Sequence, residues 1–509
     1  MQLGVRPQIE PGGGEFVSKT TSVIVFIIVY FVIIAVLGVL SARRSKKTTE
    51  DFFIASRSFG TFLLSVSILA TILSTFTFTG APGLVYATGM GFIGGFLMGA
   101  AMFSVFIYFI GRKIWYFGKR YGFITPPQLF RDRFESPAVS YTVFGAMLVF
   151  VVPYLALQPI GGGIMLNVLS GGAIPYIWGA FIITLMTIFY VWMSGQRAVA
   201  WNDAFQGILL VLVLWITAIM MVNVAGGGQR LAAELPQMVQ RGSGNVWGWQ
   251  LTFSWMAIIS INLIMQPQVF SRYYTSADMK SVNKIFALWP LLGFLGIFPI
   301  AWVGAYGKLL IPDLSAPDQV FPAFLMQFAP PLFVGVAAAG LLAALMSTSS
   351  GQMLVLSSMF TKDIYKPLKK KTTDQEEFRV GRIMVVVLAL LGFVIGINPP
   401  ALMATLANAA FSGIAVLTPA AIGAFYWRRT TAAGVITSIV LGEAIILGSF
   451  FIPSIKPWWL GFEPVIPAVL LAVISLVAVS LSTRAPSQEA VDRYIGEEHA
   501  LRQRPHAAV

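Results

Sequence analysis

The chain has 509 residues, of which 57% are hydrophobic and only 11% charged, with a mean hydropathy of +0.79. A soluble chain carries roughly 25% charged residues, so the composition excludes a soluble domain and describes a polytopic membrane protein. The absence of Cys excludes disulfides, thiol nucleophiles and thiolate metal sites, while the meaning of the +13 net charge depends on where the charge lies.

Apolar runs of about 20 residues, bounded by charge or Gly/Pro, are the expected length of a membrane helix. They fall at 21–41, 60–86, 90–111, 138–169, 173–194, 204–225, 249–270, 285–307, 331–358, 382–398, 402–426, 431–453 and 463–482. The expected fold class is therefore an all-α membrane protein with thirteen transmembrane helices and its two ends on opposite sides. The segment before the first run, Met1 to Lys19, is polar and Gly-rich rather than a basic leader into a cleavable signal.

Basic residues set the orientation. Alternate connections hold clusters such as Arg43, Arg44, Lys46, Lys47 and Arg57, or Lys362 to Lys371 with Arg379 and Arg382. Of the 34 basic residues, all but Arg6, Lys19, Arg230, Arg241, Lys308 and Lys456 fall on one side. That side is expected to be cytoplasmic, with residues 1–20 outside and the tail at 483–509 inside, in a plasma or inner membrane. The excess charge then faces anionic lipid headgroups and is not a nucleic-acid surface.

The second run reads Ala70-Thr-Ile-Leu-Ser-Thr-Phe-Thr-Phe-Thr-Gly-Ala-Pro-Gly83, hydroxyls followed by a Gly/Pro interruption. The seventh ends Asn262-Leu-Ile-Met-Gln-Pro-Gln268, polar around Pro267. Unwound helix inside a membrane is tolerated where it lines a cavity or packs in protein, and matching interruptions in two halves point to inverted repeats around a midplane site. Runs 2–6 (60–225) and 7–11 (249–426) are expected as the two repeats, with 21–41 and the pair at 431–482 peripheral.

The ninth run carries four consecutive hydroxyls, Ser347 to Ser350, in the middle of an apolar helix. Ser347 and Ser350 share a face, with Thr348 about 100° round from Ser347. A hydroxyl in hydrocarbon needs a partner. Back-bonding to the preceding turn supplies one in many membrane helices; hydroxyls beside free carbonyls also suit a hard cation. The cluster points to an ion site. Of the scarce intramembrane carboxylates, Asp203 reads as a cation-path residue or the cap of the sixth run, and Glu443 as a functional candidate by its depth or as a neutral structural group. The only histidines, His499 and His506, lie in the polar tail, so no His relay crosses the membrane.

Three segments together resemble the sodium/solute symporters over about residues 20–480. They are Gly195-Gln-Arg-Ala-Val-Ala-Trp-Asn-Asp-Ala-Phe-Gln-Gly207, Ala344-Leu-Met-Ser-Thr-Ser-Ser-Gly-Gln-Met-Leu-Val-Leu-Ser-Ser-Met-Phe-Thr-Lys-Asp-Ile-Tyr365, and Gln266-Pro267 followed by Arg272. The resemblance implies a LeuT-type core of two five-helix inverted repeats, one helix before it and two after. It implies a sodium site made of the carbonyls of Ala70, Leu73 and Ala344 with the hydroxyls of Ser347 and Thr348. Asp203 matches the motif carboxylate that helps sodium leave or holds a second sodium. Ser350 and Ser347 match two serines of such a second site, but Gly351 stands at the third position, and one sodium is expected. The coupling ion is the only cofactor implied.

Within the family, Tyr121-Gly-Phe-Ile-Thr-Pro-Pro127 and Val152-Pro-Tyr-Leu-Ala-Leu-Gln158 are most similar to bacterial monocarboxylate permeases. Ile72, Phe76 and Ile259 replace an Asp and two Trp of the proline carriers, and Phe76-Thr77 replaces the sugar carriers' polar pair. The expected solute pocket is Thr75, Phe76, Thr79, Tyr154, Gln158, Asn262 and Gln266. Without Lys or Arg there, a bound carboxylate is expected to use half-helix amides and hydroxyls. An apolar pocket with few polar groups suits a small acid better than a sugar. The expected function is sodium-coupled symport of a short-chain monocarboxylate, with proline or pantothenate as alternatives. An enzyme is excluded by the absence of GxxxxGK[ST], HExxH and any sizeable soluble domain.

Overall fold

The computed structural model describes residues 13–43, 48–239, 247–369, 371–399 and 403–496. Expectations that fall on Met1 to Gly12, Arg44, Lys46, Lys47, Arg241, Lys370, His499, His506 and the last residues of the tail lie outside it. Among the described residues the chain is helical, and the β pairing is one isolated bridge between Phe59 and Ser276.

Among the described residues ten helices are long and apolar enough to cross a membrane, and two more crossings arise when each bent helix pair is one span. The pairs are Thr61–Ile72 with Phe76–Thr88, bent by 57°, and Trp249–Met265 with Pro267–Thr275, bent by 46°. They coincide with the second and seventh apolar runs. The fifth run is a shorter apolar helix, Tyr176–Trp192, so the structure supports ten to twelve crossings rather than a count of thirteen.

The first break lies earlier than the sequence placed it. Helix ends at Ile72 and resumes at Phe76, while Gly80, Pro82 and Gly83 stay helical. Phe76–Gly80 forms a π turn in which the Ala81 amide bonds the Phe76 carbonyl. A widened turn just before Pro82 makes room for its ring, which would clash with a regular preceding turn. What interrupts the helix is Ser74-Thr75: the Ser74 hydroxyl accepts the Phe76 amide in competition with the helical ladder, and the Thr75 amide and hydroxyl turn away to Gln158.

The fifth and sixth runs are two helices, Tyr176–Trp192 and Gly195–Val224, that meet in a kink at Gly195, with φ +58° and ψ −154°. Only glycine adopts that conformation readily, and a Cβ there would strike the Phe52 ring and carbonyl. Asp203 therefore sits inside a helix rather than in a loop or at a cap.

The basic connections gather at one end of the bundle. Arg57 donates to the carbonyls of Phe123 (2.9 Å) and Tyr274 (3.3 Å), Arg197 pairs with Asp51 (2.6 Å), and Lys113 donates to the Phe425 carbonyl (2.9 Å). The tail docks there too, with the Tyr494 hydroxyl donating to Asp132 at 2.8 Å and its ring 4.3 Å from Phe117. At the opposite end Tyr86 donates to the carbonyls of Ile311 and Pro312, and the Met403 amide to Asp318 at 2.8 Å.

Candidate ion and solute site

A helix end leaves its last carbonyls without intrahelical partners. At the end of Thr61–Ile72 the Leu69 carbonyl accepts the Leu73 amide, which leaves Ala70 and Thr71 to find donors elsewhere. They find them on the long helix Pro331–Met359. Ser347 Oγ donates to the Ala70 carbonyl at 2.9 Å and lies 3.2 Å from the Ala344 carbonyl; Thr348 Oγ1 donates to the Thr71 carbonyl at 3.0 Å. Consecutive hydroxyls thus meet consecutive carbonyls across two helices. Ser347 has the carbonyls of Ala70 and Ala344 both within hydrogen-bond reach, which brings three of the five expected sodium ligands together. Thr348 is one carbonyl displaced, on Thr71, and Leu73 stands at the break itself. Ser349 and Ser350 back-bond within their own helix, at 2.8 and 2.9 Å, so the four-hydroxyl run divides into an outward-reaching pair and a self-satisfied pair.

The oxygens present fit a hard monovalent cation, since carbonyl and hydroxyl oxygens are its natural ligands and no soft donor intrudes. Beside them lies a buried charge cluster. Arg272 Nη2 donates to Asp203 Oδ2 at 2.7 Å and to Thr71 Oγ1 at 3.0 Å, and Ser67 Oγ donates to the same carboxylate oxygen at 2.7 Å. Asp203 is fully buried and its Oδ1 has no partner. The sequence motif found Asp203 but not its counter-ion. Arg272 was visible only as a family residue, because nothing in the primary structure places it against a residue 69 positions earlier.

The second half of the broken span begins with its amides already engaged. Phe76 N donates to Ser74 Oγ at 3.1 Å, and both the amide and the hydroxyl of Thr75 donate to Gln158 Oε1, at 3.3 and 2.7 Å. Thr79 Oγ1 donates to the Thr75 carbonyl at 2.9 Å. Thr75, Thr79 and Gln158 therefore brace the break. The half-helix amides and hydroxyls expected to hold a carboxylate are spent on this bracing, which corrects that expectation.

Phe76, Tyr154, Asn262 and Gln266, the other expected solute residues, line one cavity of about 30 Å³ together with Leu73, Ile259, Trp289 and Phe411. No charged side chain lines it. Trp289 and Phe411 escaped the sequence reading because aromatics in apolar helices carry no signal of what they face. Phe76 closes the cavity on one side, stacked on Trp255 at 6.3 Å and edge-on to Phe411 at 5.8 Å. Beyond Trp255, toward the end away from the basic connections, lies a larger cavity of about 250 Å³ that includes Asn408 and Ser412. At the basic end the broken spans are tied by backbone. Phe59 N donates to the Thr275 carbonyl at 3.0 Å and Ala277 N to the Phe59 carbonyl at 2.9 Å, and Trp115 adds an indole bond to Ser276 at 3.0 Å.

Around the second break the amides form a relay: Gln268 Nε2 donates to Gln266 Oε1 at 2.8 Å, and Gln266 Nε2 to Asn262 Oδ1 at 3.3 Å. Glu443 is remote from this centre, buried in the helix Ala432–Phe451, and neither of its oxygens has a hydrogen-bond partner.

Comparison with known proteins bears on this arrangement. The model of the sodium:solute symporter family matches residues 52–442. A sodium/pantothenate symporter of Escherichia coli (strain K12) is 27% identical over 466 residues, covering 89% of this chain and 95% of that protein. A sodium/proline symporter of Staphylococcus aureus (strain JH9) is 28% identical over 476 residues, covering 89% and 91%. Among solved structures, a Na+-coupled sialic acid symporter in a substrate-bound outward-open state superimposes with a TM-score of 0.74 at 20% identity, over 92% of this chain and 99% of that one. Mhp1, a nucleobase-cation-symport-1 family transporter in a closed conformation, gives 0.57 at 15% identity, over 87% and 97%. At such identities these structures speak for the fold alone.

Proposed function

Because this chain belongs to the sodium:solute symporter family, a family of transporters rather than enzymes, we propose that it carries a short-chain monocarboxylate across the cell membrane together with sodium. The observation that carries the reading is the junction of Ser347 and Thr348 with the freed carbonyls of Ala70 and Thr71. Sodium bound by the carbonyls of Ala70, Leu73 and Ala344 and the hydroxyls of Ser347 and Thr348 replaces the two hydroxyl hydrogen bonds. It thereby fixes the end of Thr61–Ile72 against the long helix.

That same helix end borders the small cavity through Leu73. Sodium therefore favours the form of the cavity that accepts solute, and solute tightens sodium by the same factor, since coupling between sites is reciprocal. Runs 60–225 and 249–426 act as the inverted repeats of alternating access, with the N-terminus outside and the basic end cytoplasmic. The backbone tie at Phe59, Thr275 and Ala277 seals the basic end, and the larger cavity is the entry from the opposite side. Loaded carrier opens the basic end and releases sodium where it is scarce. The membrane potential contributes about 2.3 kcal/mol per charge for each 100 mV. Asp203, held by Arg272, stands beside the sodium exit, and Ser350 by its side; with Gly351 at the next position a single sodium is the reading.

A cavity with room for a small head group and no charged lining supports a short acid. The proteins of 27% and 28% identity support the second reading, a proline or pantothenate carrier. Purified protein in proteoliposomes, offered labelled pyruvate, lactate, acetate, proline and pantothenate under a sodium or a proton gradient alone, separates these. Sodium-driven uptake of a short acid is the expected result. Uptake driven by protons alone refutes the ion assignment, and proline as sole substrate refutes the pocket argument.

A further inference from the structure

Asn262 and Trp289 both line the small cavity, are both buried, and each has a side-chain nitrogen, Nδ2 and Nε1, whose N–H groups find no acceptor. The orientation of each is fixed by its surroundings. Gln266 occupies Asn262 Oδ1, at the end of the amide relay that starts at Gln268, so the donor Nδ2 is the end left open. The Trp289 ring is held edge-to-face on Phe103, at 5.1 Å and 88°. Its Nε1 lies 3.8 Å from where a Cβ would stand on Gly293, another lining residue. A Cβ at 293 would be in ordinary contact with this N–H and press more tightly, at 3.2 Å, on the Ala100 Cβ.

An indole N–H is a donor only, and a buried donor without an acceptor is costly enough that few persist in a folded protein. Two unpaired donors on one mostly apolar cavity, whose other polar lining residues are Thr77, Tyr154 and Gln266, call for a ligand with two acceptor atoms on one head. At the first break the amides of Thr75 and Phe76 and the hydroxyls of Thr75 and Thr79 are engaged by Gln158, Ser74 and the Thr75 carbonyl, so that side adds only the Thr77 hydroxyl to the cavity lining. We propose that Asn262 and Trp289 receive the carboxylate of the transported acid, one oxygen each, an assignment that rests on the carrier function proposed above. The cavity volume of about 30 Å³ compares with roughly 10–15 Å³ on the same measure for one water. It takes a carboxylate but not the remainder of a larger acid, which extends past Phe76 toward the larger cavity. The absence of a charged lining residue leaves charge balance to sodium at the neighbouring Leu73 carbonyl. Solute and ion then need one another for an electrostatic reason, and specificity among acids is decided by the part of the molecule beyond Phe76.

The test uses full-length protein in proteoliposomes at about pH 7, where carboxylic acids are ionised. Wild-type uptake of pyruvate, lactate, acetate, proline, pantothenate and galactose is measured first. If none of the acids is taken up, or galactose alone is, the carrier reading and this pair fall together. With an acid identified, Trp289→Phe removes one N–H and keeps an aromatic ring, and Asn262→Asp replaces a donor by a like-sized anion. Each is expected to raise KM for that acid about tenfold or more, the usual scale for a lost hydrogen bond to a charged group. Sodium binding measured without solute stays unchanged. Trp215→Phe, whose indole serves the Leu295 carbonyl, is the control and leaves KM unchanged. The preference for the acid over its primary amide as competitor falls toward one in Trp289→Phe, a change that loss of packing alone does not produce. If both variants transport with KM within twofold of wild type, or keep the wild-type preference for acid over amide, the pair does not hold the carboxylate and the carrier reading survives. Should Trp289→Phe fail to reach the membrane, Asn262→Asp alone decides.

Discussion

At the first break, between Ile72 and Phe76, the freed carbonyls of Ala70 and Thr71 take their donors from a different helix, through Ser347 and Thr348. At the second, around Gln266, the backbone amides bond locally, and one hydroxyl from another helix reaches in, Thr418 Oγ1 donating to the Ile261 carbonyl at 2.8 Å. Gln266 N bonds the Asn262 carbonyl at 2.9 Å, the amides of Val269 and Phe270 return to the Gln266 carbonyl, and Pro267 has no N–H to satisfy. Both spans bend by a similar angle, 57° and 46°, yet only at the first do two consecutive carbonyls meet two consecutive hydroxyls of one helix. A break completed from outside can be switched by an ion. One with its amides bonded locally serves as a fixed hinge, whose side chains are free to face a solute.

Removing both hydroxyls should give the largest effect. Ser347→Ala with Thr348→Ala is expected to abolish sodium dependence of uptake, whereas Pro267→Ala at the other break shifts the half-saturating sodium concentration less than about twofold, the scale of a contact outside the ion's shell. Equal sensitivity of the two breaks would end the distinction. Next comes Arg272, which reaches from the second span to Thr71 and Asp203 of the first site. Arg272→Ala leaves a carboxylate buried and unpaired, at an expected cost of about 3–5 kcal/mol. This should be seen as a large fall in thermal stability in detergent that Asp203→Asn partly reverses. Unchanged stability would mean that the pair is not buried in the working protein. Smaller again is Gln158→Leu, which strands the amide and hydroxyl of Thr75 at an expected cost of about 1–3 kcal/mol. Thermal stability reports that cost, and the loss should be greater than for Gln268→Leu at the second break.

A dependence on pH is expected of Asp318, in the connection at the end opposite the basic residues. Burial pushes its carboxyl up to about 7, against the pull of the Met403 amide. Between about pH 4, where an unfolded Asp ionises, and about 7, the folded protein holds a proton that the unfolded chain has released. Stability therefore falls as pH rises through that window and is level above it. Asp318→Asn is expected to flatten this slope in thermal unfolding. A slope unchanged in the variant would assign the dependence to another group.

Much of this was legible in the residues. Apolar run lengths placed most of the helices because a bilayer demands about 20 apolar residues of any span, and mid-run hydroxyls at Ser347 and Thr348 marked a junction between two helices because hydrocarbon offers them no partner. The turn chemistry of the first break was misread. Gly80-Ala-Pro-Gly83 looks like an interruption, but a π turn absorbs the proline, while Ser74-Thr75, an ordinary pair of residues, opens the helix once Gln158 from another span is there to receive it. The pairing of Asp203 with Arg272, the bracing role of Thr75 and Thr79, and the convergence of Asn262 with Trp289 were decided only by the tertiary structure. Sequence periodicity states which face a residue occupies on its own helix. Which foreign backbone group, charge or empty space that face meets depends on how helices distant in the chain are packed.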